Sequence, residues 1–439
     1  MSPHPDTHHK ALTINLDAAV FGSFAEIGAG QEVARWFLRV GGASATVAKA
    51  ISAYDKEVSD DLYGPGTRYV SRERLEAMLD REWEQVQTQL RESRGSSSRF
   101  FTFADTVSAR NYAGTNESHG WMGVRFLADP GATPNDVILH VNMMDPSNPL
   151  QQEVLGTLGV NLLFAVYHQR ESRDVFLQGL AEGIAAGRIE IDLIDLRGPA
   201  FEAWDRRAFL VDVVRRGLAE GVVFPRDERT LPPTELLHKK PVVLAPGTFA
   251  AVEPIHGRIL EATVAAQRAE EGGGETPVGM FVLTPDALSE QRELPDVPSI
   301  LQRVDALHQM GEAVLVSRCA ALYELIAFAH RFTSAAVRIA VGLPTLIRVF
   351  EDARSRHHEG RILENLTRLV GQDVRLFAYP MSVATSDEWL RALAAGGWEV
   401  TATGGWVTAD GIRPPPPLSH LYAYLTASRF IAPLPPPAG

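Results

Sequence analysis

A single cysteine, Cys319, leaves the 439-residue chain without a disulfide framework or a thiolate metal cluster, and its apolar surroundings place it in a core. Long hydrophobic runs are missing too: none reaches the roughly 18 to 20 apolar residues that a membrane-spanning helix needs. The start, MSPHPDTHHK, lacks a basic segment leading into an apolar one, so a cytoplasmic protein with no membrane partner is expected. Positive charge is in deficit, with 42 Lys and Arg against 54 Asp and Glu and a net charge of −12, which argues against nucleic acid or an anionic bilayer as the main partner. There is no Walker loop, GxSxG elbow, HExxH helix or CxxC pair, so the enzyme classes built on those motifs fall away. No repeat of fixed period is visible, which excludes a solenoid or propeller.

What is present is the composition of an ordinary globular protein, 45% hydrophobic and 22% charged, long enough for two large domains. Residues 1–12 read as a disordered leader in which His4, His8 and His9 are solvated, and 13–230 as a mixed α/β domain. Apolar spacing predicts helices over 24–40 and 43–53, and a third over 71–91 with Ser71 as N-cap. Strands follow at 99–103, 122–126 and 137–143, the last two as a hairpin. Helices at 150–168, 174–186 and 205–218 alternate with strands at 188–194 and 221–224.

The polar, proline-broken stretch from Pro225 to Lys240 marks the domain boundary. Beyond it, strands at 242–245, 278–283, 313–316, 336–341 and 374–379 alternate with helical stretches. That rhythm requires a parallel, doubly wound, Rossmann-like sheet with helices on both faces, spanning 241–432. The glycine-rich segment 270–276 reads as a surface loop. Past Tyr379 the pattern gives a helix over 387–395, a strand pair around 398–407, a proline run at 414–417, a helix over 419–427 and a disordered tail, 433–439.

The richest segment is KKPVVLAPGTFAAVEPIHGRILEATVAAQ, in which an apolar strand runs through Gly247 into a helix. Glycine at such a strand end admits a close backbone approach, and the next helix offers amide N–H groups and the positive end of its dipole to a phosphate. Gly247, Thr248, Phe249 and His256 fall on the pattern Gly, Ser or Thr, Phe, any residue, Pro, any residue, His or Thr, any residue, Gly, His. In this the segment resembles the nucleotidylyltransferase superfamily. A second segment, GLPTLIR, places Thr345 and Arg348 where that superfamily has Thr, any residue, Ile, Arg at a distal turn. The chain is also similar, through FGSFAEIGAGQEVARWFL, SAYDKEVSD, RYVSRERLEAMLD, HGWMGVRF and HLYAYL, to a bacterial family labelled nicotinate-nucleotide adenylyltransferase-like.

The resemblance implies ATP with Mg²⁺ as cofactor and a small-molecule nucleotide as partner. Gly247, Thr248 and Phe249 would cradle phosphates, His256 would stabilise the transferred phosphoryl group, and Thr345 with Arg348 would meet the triphosphate. Three positions depart from the pattern: Ala251 replaces Pro, Glu253 the first His or Thr, and Ile255 the second Gly. A carboxylate at 253 would repel phosphate. Two readings therefore stand: an adenylyl-transferring enzyme, or a catalytically inactive protein of the same fold serving in assembly, scaffolding or ligand sensing, with self-association expected.

Other polar residues have plainer readings. Gly28 and Gly30 lack a clear preceding strand and read as close packing at a helix start rather than as a dinucleotide fingerprint. Trp121 is expected as a core anchor, near His119 and Arg125, and His140 with Asn142 as a satisfied buried pair. Asp192, Asp195, Asp205, Arg206 and Arg207 read as a solvated, salt-bridged loop. His357 and His358, with Arg354, Arg356 and Arg361, read as an exposed helix end.

Overall fold

The structure, a computed structural model, describes residues 6–28, 30–66, 68–112, 116, 118–226, 231–270, 275–285, 293–355 and 373–436. It is an α/β protein that divides into two compact units, Met1–Glu220 and Gly221–Gly439.

Unit 1 runs α1 (Thr7–Leu16), β1 (Val20–Gly28), α2 (Glu32–Arg39), β2 (Val47–Ile51), α3 (Lys56–Tyr63), α4 (Arg72–Arg94), β3 (Arg99–Ser108), β4 (His119–Leu127), β5 (Pro134–Met143), α5 (Asn148–His168), α6 (Arg173–Ala181), β6 (Ile189–Arg197) and α7 (Arg206–Arg215). Its sheet has the order β2-β1-β3-β4-β5-β6. The first three strands are mutually parallel and the rest antiparallel. Helix α4 lies along β1, β3 and β4, and α2 and α5 pack on one another. On the α2 side Phe24 meets Phe37 and Phe103, with ring centroids 5.1 and 6.0 Å apart, and each such buried side chain contributes about 1.5 to 3 kcal/mol.

Several expectations are corrected in this unit. The stretch read as a helix from Phe24 is the end of β1, preceding the shorter α2. Eight of the nine β1 residues are buried, so the strand is covered on both faces and loses its alternation, and Phe24 with Ile27 mimic a helical spacing. The second expected helix is β2, a half-buried strand at the sheet edge. The leader is also ordered from Thr7: Asp6 caps α1 by accepting from the His9 amide, and buried Lys10 donates to Asn161 and pairs with Glu182 at 2.6 Å. His8 and His9 thus lie in α1, while His4 falls outside the described residues. Ser71 caps α4 through the Arg74 amide, as the sequence implied.

Unit 2 runs β7 (Gly221–Phe224), α8 (Pro233–Leu237), β8 (Val242–Gly247), α9 (Pro254–Glu270), β9 (Val278–Leu283), α10 (Val297–His308), β10 (Ala313–Ser317), α11 (Leu322–His330), β11 (Val337–Gly342), α12 (Leu343–Ser355), β12 (Val374–Tyr379), β13 (Met381–Ser382), α13 (Val383–Ala395), β14 (Glu399–Val400), β15 (Trp406–Val407), β16 (Ile412–Arg413), α14 (Leu418–Ala427) and β17 (Ile431–Pro433). Its main sheet has the order β17-β12-β11-β8-β9-β10-β7, all parallel except β7, which runs antiparallel to β10. Counted from β8, the parallel strands read 3-2-1-4-5-6 from β10 to β17, the doubly wound Rossmann order. Cys319 is buried in its core.

Strand β7 was expected in the N-terminal half but joins this sheet, because its apolar Val222 and Val223 complete the β10 edge. The expected strand pair near 398–407 is corrected as well: β14 pairs with β16 and β15 with β13, leaving a lone bridge between Thr403 and Trp406. The tail is not loose from 433, since β17 extends the sheet and the buried Leu434 donates its amide to Ala378 O at 2.9 Å. The core of the loop expected at 270–276, residues 271–274, lies outside the described residues, as do His357, His358, Arg356 and Arg361.

Candidate functional site

In unit 2 the chain winds outward from β8 in one direction and then from β11 in the other, so the switch point lies between those two neighbours. Whether it opens depends on the ladder joining them. Val242 donates its N–H toward β11, to Ala336 O at 2.9 Å, and backbone groups on a strand alternate sides with period two. The β11-facing donors of β8 are therefore residues 242, 244 and 246. Residue 246 is Pro246, which has no N–H to give to the next β11 carbonyl.

The registers follow from this. β8 and β11 pair from Val242↔Val337 only to Leu244↔Ile339. By contrast β8 stays with β9 as far as Gly247↔Leu283, and β11 with β12 as far as Gly342↔Tyr379. Beyond Leu244 and Ile339 the ladder between β8 and β11 stops while each strand stays paired with its outer neighbour, at the strand ends where a doubly wound sheet has its crevice.

Both segments singled out in the sequence start at this crevice. Gly247, Thr248 and Phe249 leave β8, and Thr284 N–H fixes the Gly247 carbonyl at 3.0 Å. Arg303 of α10 donates to the Thr248 carbonyl at 2.7 Å, a charge-assisted bond that sequence reading missed because its partner lies 55 residues away. Phe249 is an anchor rather than a surface contact. It is buried, takes the left-handed φ of +48°, and meets the rings of His256 and Phe281 edge-on at 5.1 and 5.6 Å.

His256 sits in the first turn of α9. Its Nδ1 accepts the Glu253 amide at 3.0 Å, reaching back to the residue before Pro254 as the third residue of a capping box does. That bond puts the ring proton on Nε2. Burial pushes the imidazole below its ordinary value, with the Glu253 charge opposing, so at neutral pH His256 offers a neutral N–H and no positive charge. Glu253 is exposed at the head of α9, where a carboxylate is favourable to the helix dipole and competes with any other anion.

On the other bank, α12 starts directly after Gly342. Thr345 and Arg348 are both exposed and lie three apart, on one face of its first two turns. A Cβ placed on Gly342 would meet Pro344 at 3.6 Å and Ile259 of α9 at 3.7 Å, so the heads of the two helices approach the same strand end.

The remaining polar residues fall in unit 1. Gly28 and Gly30 do follow a strand, contrary to expectation, yet the helix head beyond them is occupied: Glu26 accepts the amides of Gln31, Val33 and Ala34 at 2.9, 3.0 and 3.0 Å. Close packing holds for Gly30, whose added Cβ would sit 2.0 Å from Asp105 Oδ1. Trp121 is a core anchor, and Arg125 forks onto Asp136 at 2.7 and 2.9 Å. His140 and Asn142 are satisfied by Asp192, which is buried in β6 and not in a solvated loop. Asp195 pairs with Arg72 and Arg197, and Asp205 caps α7 above Arg206 and Arg207.

No helix of the described residues is long and apolar enough to cross a membrane. No protein-family model and no curated protein matches the chain. Among solved structures it is similar to the competence/damage inducible protein CihA from Agrobacterium tumefaciens, at 19% identity over 38% of this chain and 99% of that one, with a TM-score of 0.27. It is similar also to a competence-damaged protein (CinA) superfamily protein from Enterobacter cloacae, at 12% identity over 38% of this chain and 94% of that one, with a TM-score of 0.28.

Proposed function

We propose that unit 2 binds a nucleotide with its phosphates in the crevice between β8 and β11, and that the reaction it is built for is adenylyl transfer from ATP to a mononucleotide such as nicotinate mononucleotide. Mg²⁺ enters with ATP as part of the substrate, and pyrophosphate leaves. The parting of β8 from β11 after Leu244 carries this reading, because it opens the sheet at the strand ends where Gly247, Thr248 and the heads of α9 and α12 converge. The resemblance of the two loops to the nucleotidylyltransferase superfamily supports it from the sequence side.

In this reading the backbone from Gly247 to Phe249, braced by Arg303, receives the phosphates. His256 donates its Nε2–H to an oxygen of the transferred phosphoryl group, and Thr345 with Arg348 takes the departing pyrophosphate. The mononucleotide phosphate attacks the α-phosphorus of ATP as the bond to pyrophosphate breaks, so the protein supplies position and hydrogen bonds and no covalent intermediate.

A second reading has its own observation. Glu253 places a carboxylate at the α9 head, and His256 brings no charge, which suits a non-catalytic protein of this fold acting in ligand sensing or in self-assembly. Calorimetric titration with ATP and Mg²⁺, with and without nicotinate mononucleotide, separates the two when repeated on His256→Ala. Binding that weakens in the variant, together with pyrophosphate release, supports transfer. Binding without release favours the sensing role, and absence of heat in both proteins refutes a nucleotide site here.

A further inference from the structure

Unit 1 holds a cavity of about 210 Å³ at the β2 edge of its sheet, and three consecutive residues of that strand, Val47, Ala48 and Lys49, border it. A regular strand would present alternate residues to one side. The register explains the difference. β1 and β2 pass from Gly22↔Val47 to Ser23↔Lys49, so Ala48 is an extra residue, and a bulge of this kind re-aims the side chains around it. The opposite wall is α4, through Gln85, Val86, Gln89 and Leu90, which share one helix face at spacings of three to five. That helix packs mainly along β1, β3 and β4, so the space beside the edge strand stays unfilled.

Phe21, Val47, Val86 and Leu90 form the apolar part of the lining, and Phe21 and Val86 are buried. The polar part is built around Lys49. Its Nζ donates to Glu82 Oε2 at 2.5 Å and to Gln85 Oε1. Glu82 is 1% exposed, is not itself part of the lining, and accepts the Tyr63 hydroxyl on Oε1 at 3.2 Å. Its carboxylate is therefore engaged on both oxygens and holds the ammonium in place. An ammonium carries three protons and an amide NH₂ two. Among the described residues, the third Lys49 proton and the Gln85 Nε2 protons are the donors left at this wall. Arg94 adds a second cation, its guanidinium 4.1 Å from the centre of the Phe21 ring. No Asp or Glu is among the described residues that line the cavity. Lys49 and Arg94 against Glu82 leave a surplus positive charge beside an apolar slot.

We propose that this cavity binds a small monocarboxylate with a compact apolar body, independently of any nucleotide in unit 2. The carboxylate accepts from Lys49 Nζ and Gln85 Nε2, and the body packs against Phe21, Val86 and Leu90. Size selects the ligand first: the cavity is smaller than the roughly 300 to 1,000 Å³ of pockets that take drug-sized molecules, so it fits one aromatic ring or a short branched chain. Charge selects next. An uncharged ligand of the same shape forgoes the charge-assisted bonds, which are about twice as strong as neutral ones, and a dianion has to set its second charge against the apolar wall.

The test titrates the full chain with benzoate by calorimetry and by saturation-transfer NMR, with benzyl alcohol as the uncharged ligand of the same size. Benzoate should bind with a Kd of about 1 mM or tighter, as a ligand this small does in a partly enclosed site, and benzyl alcohol at least about tenfold more weakly. Leu90→Trp, which puts an indole into the slot, should abolish binding. Lys49→Met should weaken benzoate at least about tenfold and leave benzyl alcohol within about twofold. His256→Ala, in unit 2, should keep the wild-type affinity. No benzoate binding to the wild type, equal affinity for benzyl alcohol, or undiminished binding in Leu90→Trp overturns the proposal. If Lys49→Met, which strands the Glu82 carboxylate, fails to fold, the comparison of the two ligands and Leu90→Trp decide alone.

Discussion

The stability of unit 1 should fall as pH rises through neutrality, and Asp105→Asn should remove much of that dependence. Glu26 and Asp105 are direct partners on the adjacent parallel strands β1 and β3, so their side chains share one face of the sheet. Glu26 is 2% exposed and Asp105 fully buried. Burial pushes Glu26 from 4.5 up to about 7, although its bonds from the Val33 and Ala34 amides pull the other way. Burial and the neighbouring Glu26 raise Asp105 well above the carboxylate range. For an acid raised in the folded state, the stabilising contribution is complete below the unfolded value and is lost as pH climbs through the folded one. For Glu26 the window is pH 4.5 to about 7, and the gap corresponds to about 3 kcal/mol. His168, which burial pushes down, contributes with the opposite sign, so the difference between wild type and Asp105→Asn is the informative quantity. Asparagine matches aspartate in shape, which suits the tight contact with Gly30, and an amide neither ionises nor repels Glu26. Urea unfolding from pH 5 to 8 should show the wild type losing stability relative to the variant, which keeps Glu26 but has no carboxyl at 105 to ionise. A difference that is flat, or that grows in favour of the wild type, would refute the reasoning.

Two substitutions probe the crevice in unit 2. Arg303→Ala removes the donor to the Thr248 carbonyl and should cost about 1.5 to 3 kcal/mol, read by thermal or urea unfolding, with a matching loss of ATP affinity in calorimetry if the loop is the phosphate cradle. Pro246→Ala restores the missing N–H, so the β8–β11 ladder should extend by one bond. Global stability should change by no more than about 1 kcal/mol while ATP affinity falls roughly tenfold, and an unchanged affinity would show that the parting of the strands is not what admits the nucleotide.

The second half of the chain was legible because its strands are fully buried apolar runs bounded by Gly and Pro. The residues 278–283 and 374–379 marked by composition alone are the strands Val278–Leu283 and Val374–Tyr379. Alternation with helices implied the parallel winding, and both loops chosen on residue type start at the single switch point of that sheet. In the first half the same physics misled. VFGSFAEIG lies between β2 and β3 in its sheet with eight of its nine residues buried, so neither a two-residue nor a 3.6-residue period survives in it, and two chance spacings read as helix. A hydrogen-bonded chain from Asp192 through His140 to His119 was invisible for a different reason, since its members sit 52 and 21 residues apart and meet only through strand register.

Pro246 shows how far local sequence can reach when register is known. In the sequence it is one of 28 prolines and reads as a strand ending. Once Val242 is seen donating to Ala336, period two alone makes residue 246 the next donor owed to β11 but one, and proline the one residue that cannot supply it. Gly247 then follows with the freedom to turn, and Phe249 is pinned in a left-handed conformation by the rings around it. The crevice is therefore made by a missing N–H rather than by a side chain, which is why substitutions at Thr345, Arg348 or His256 should alter what the site holds without closing it.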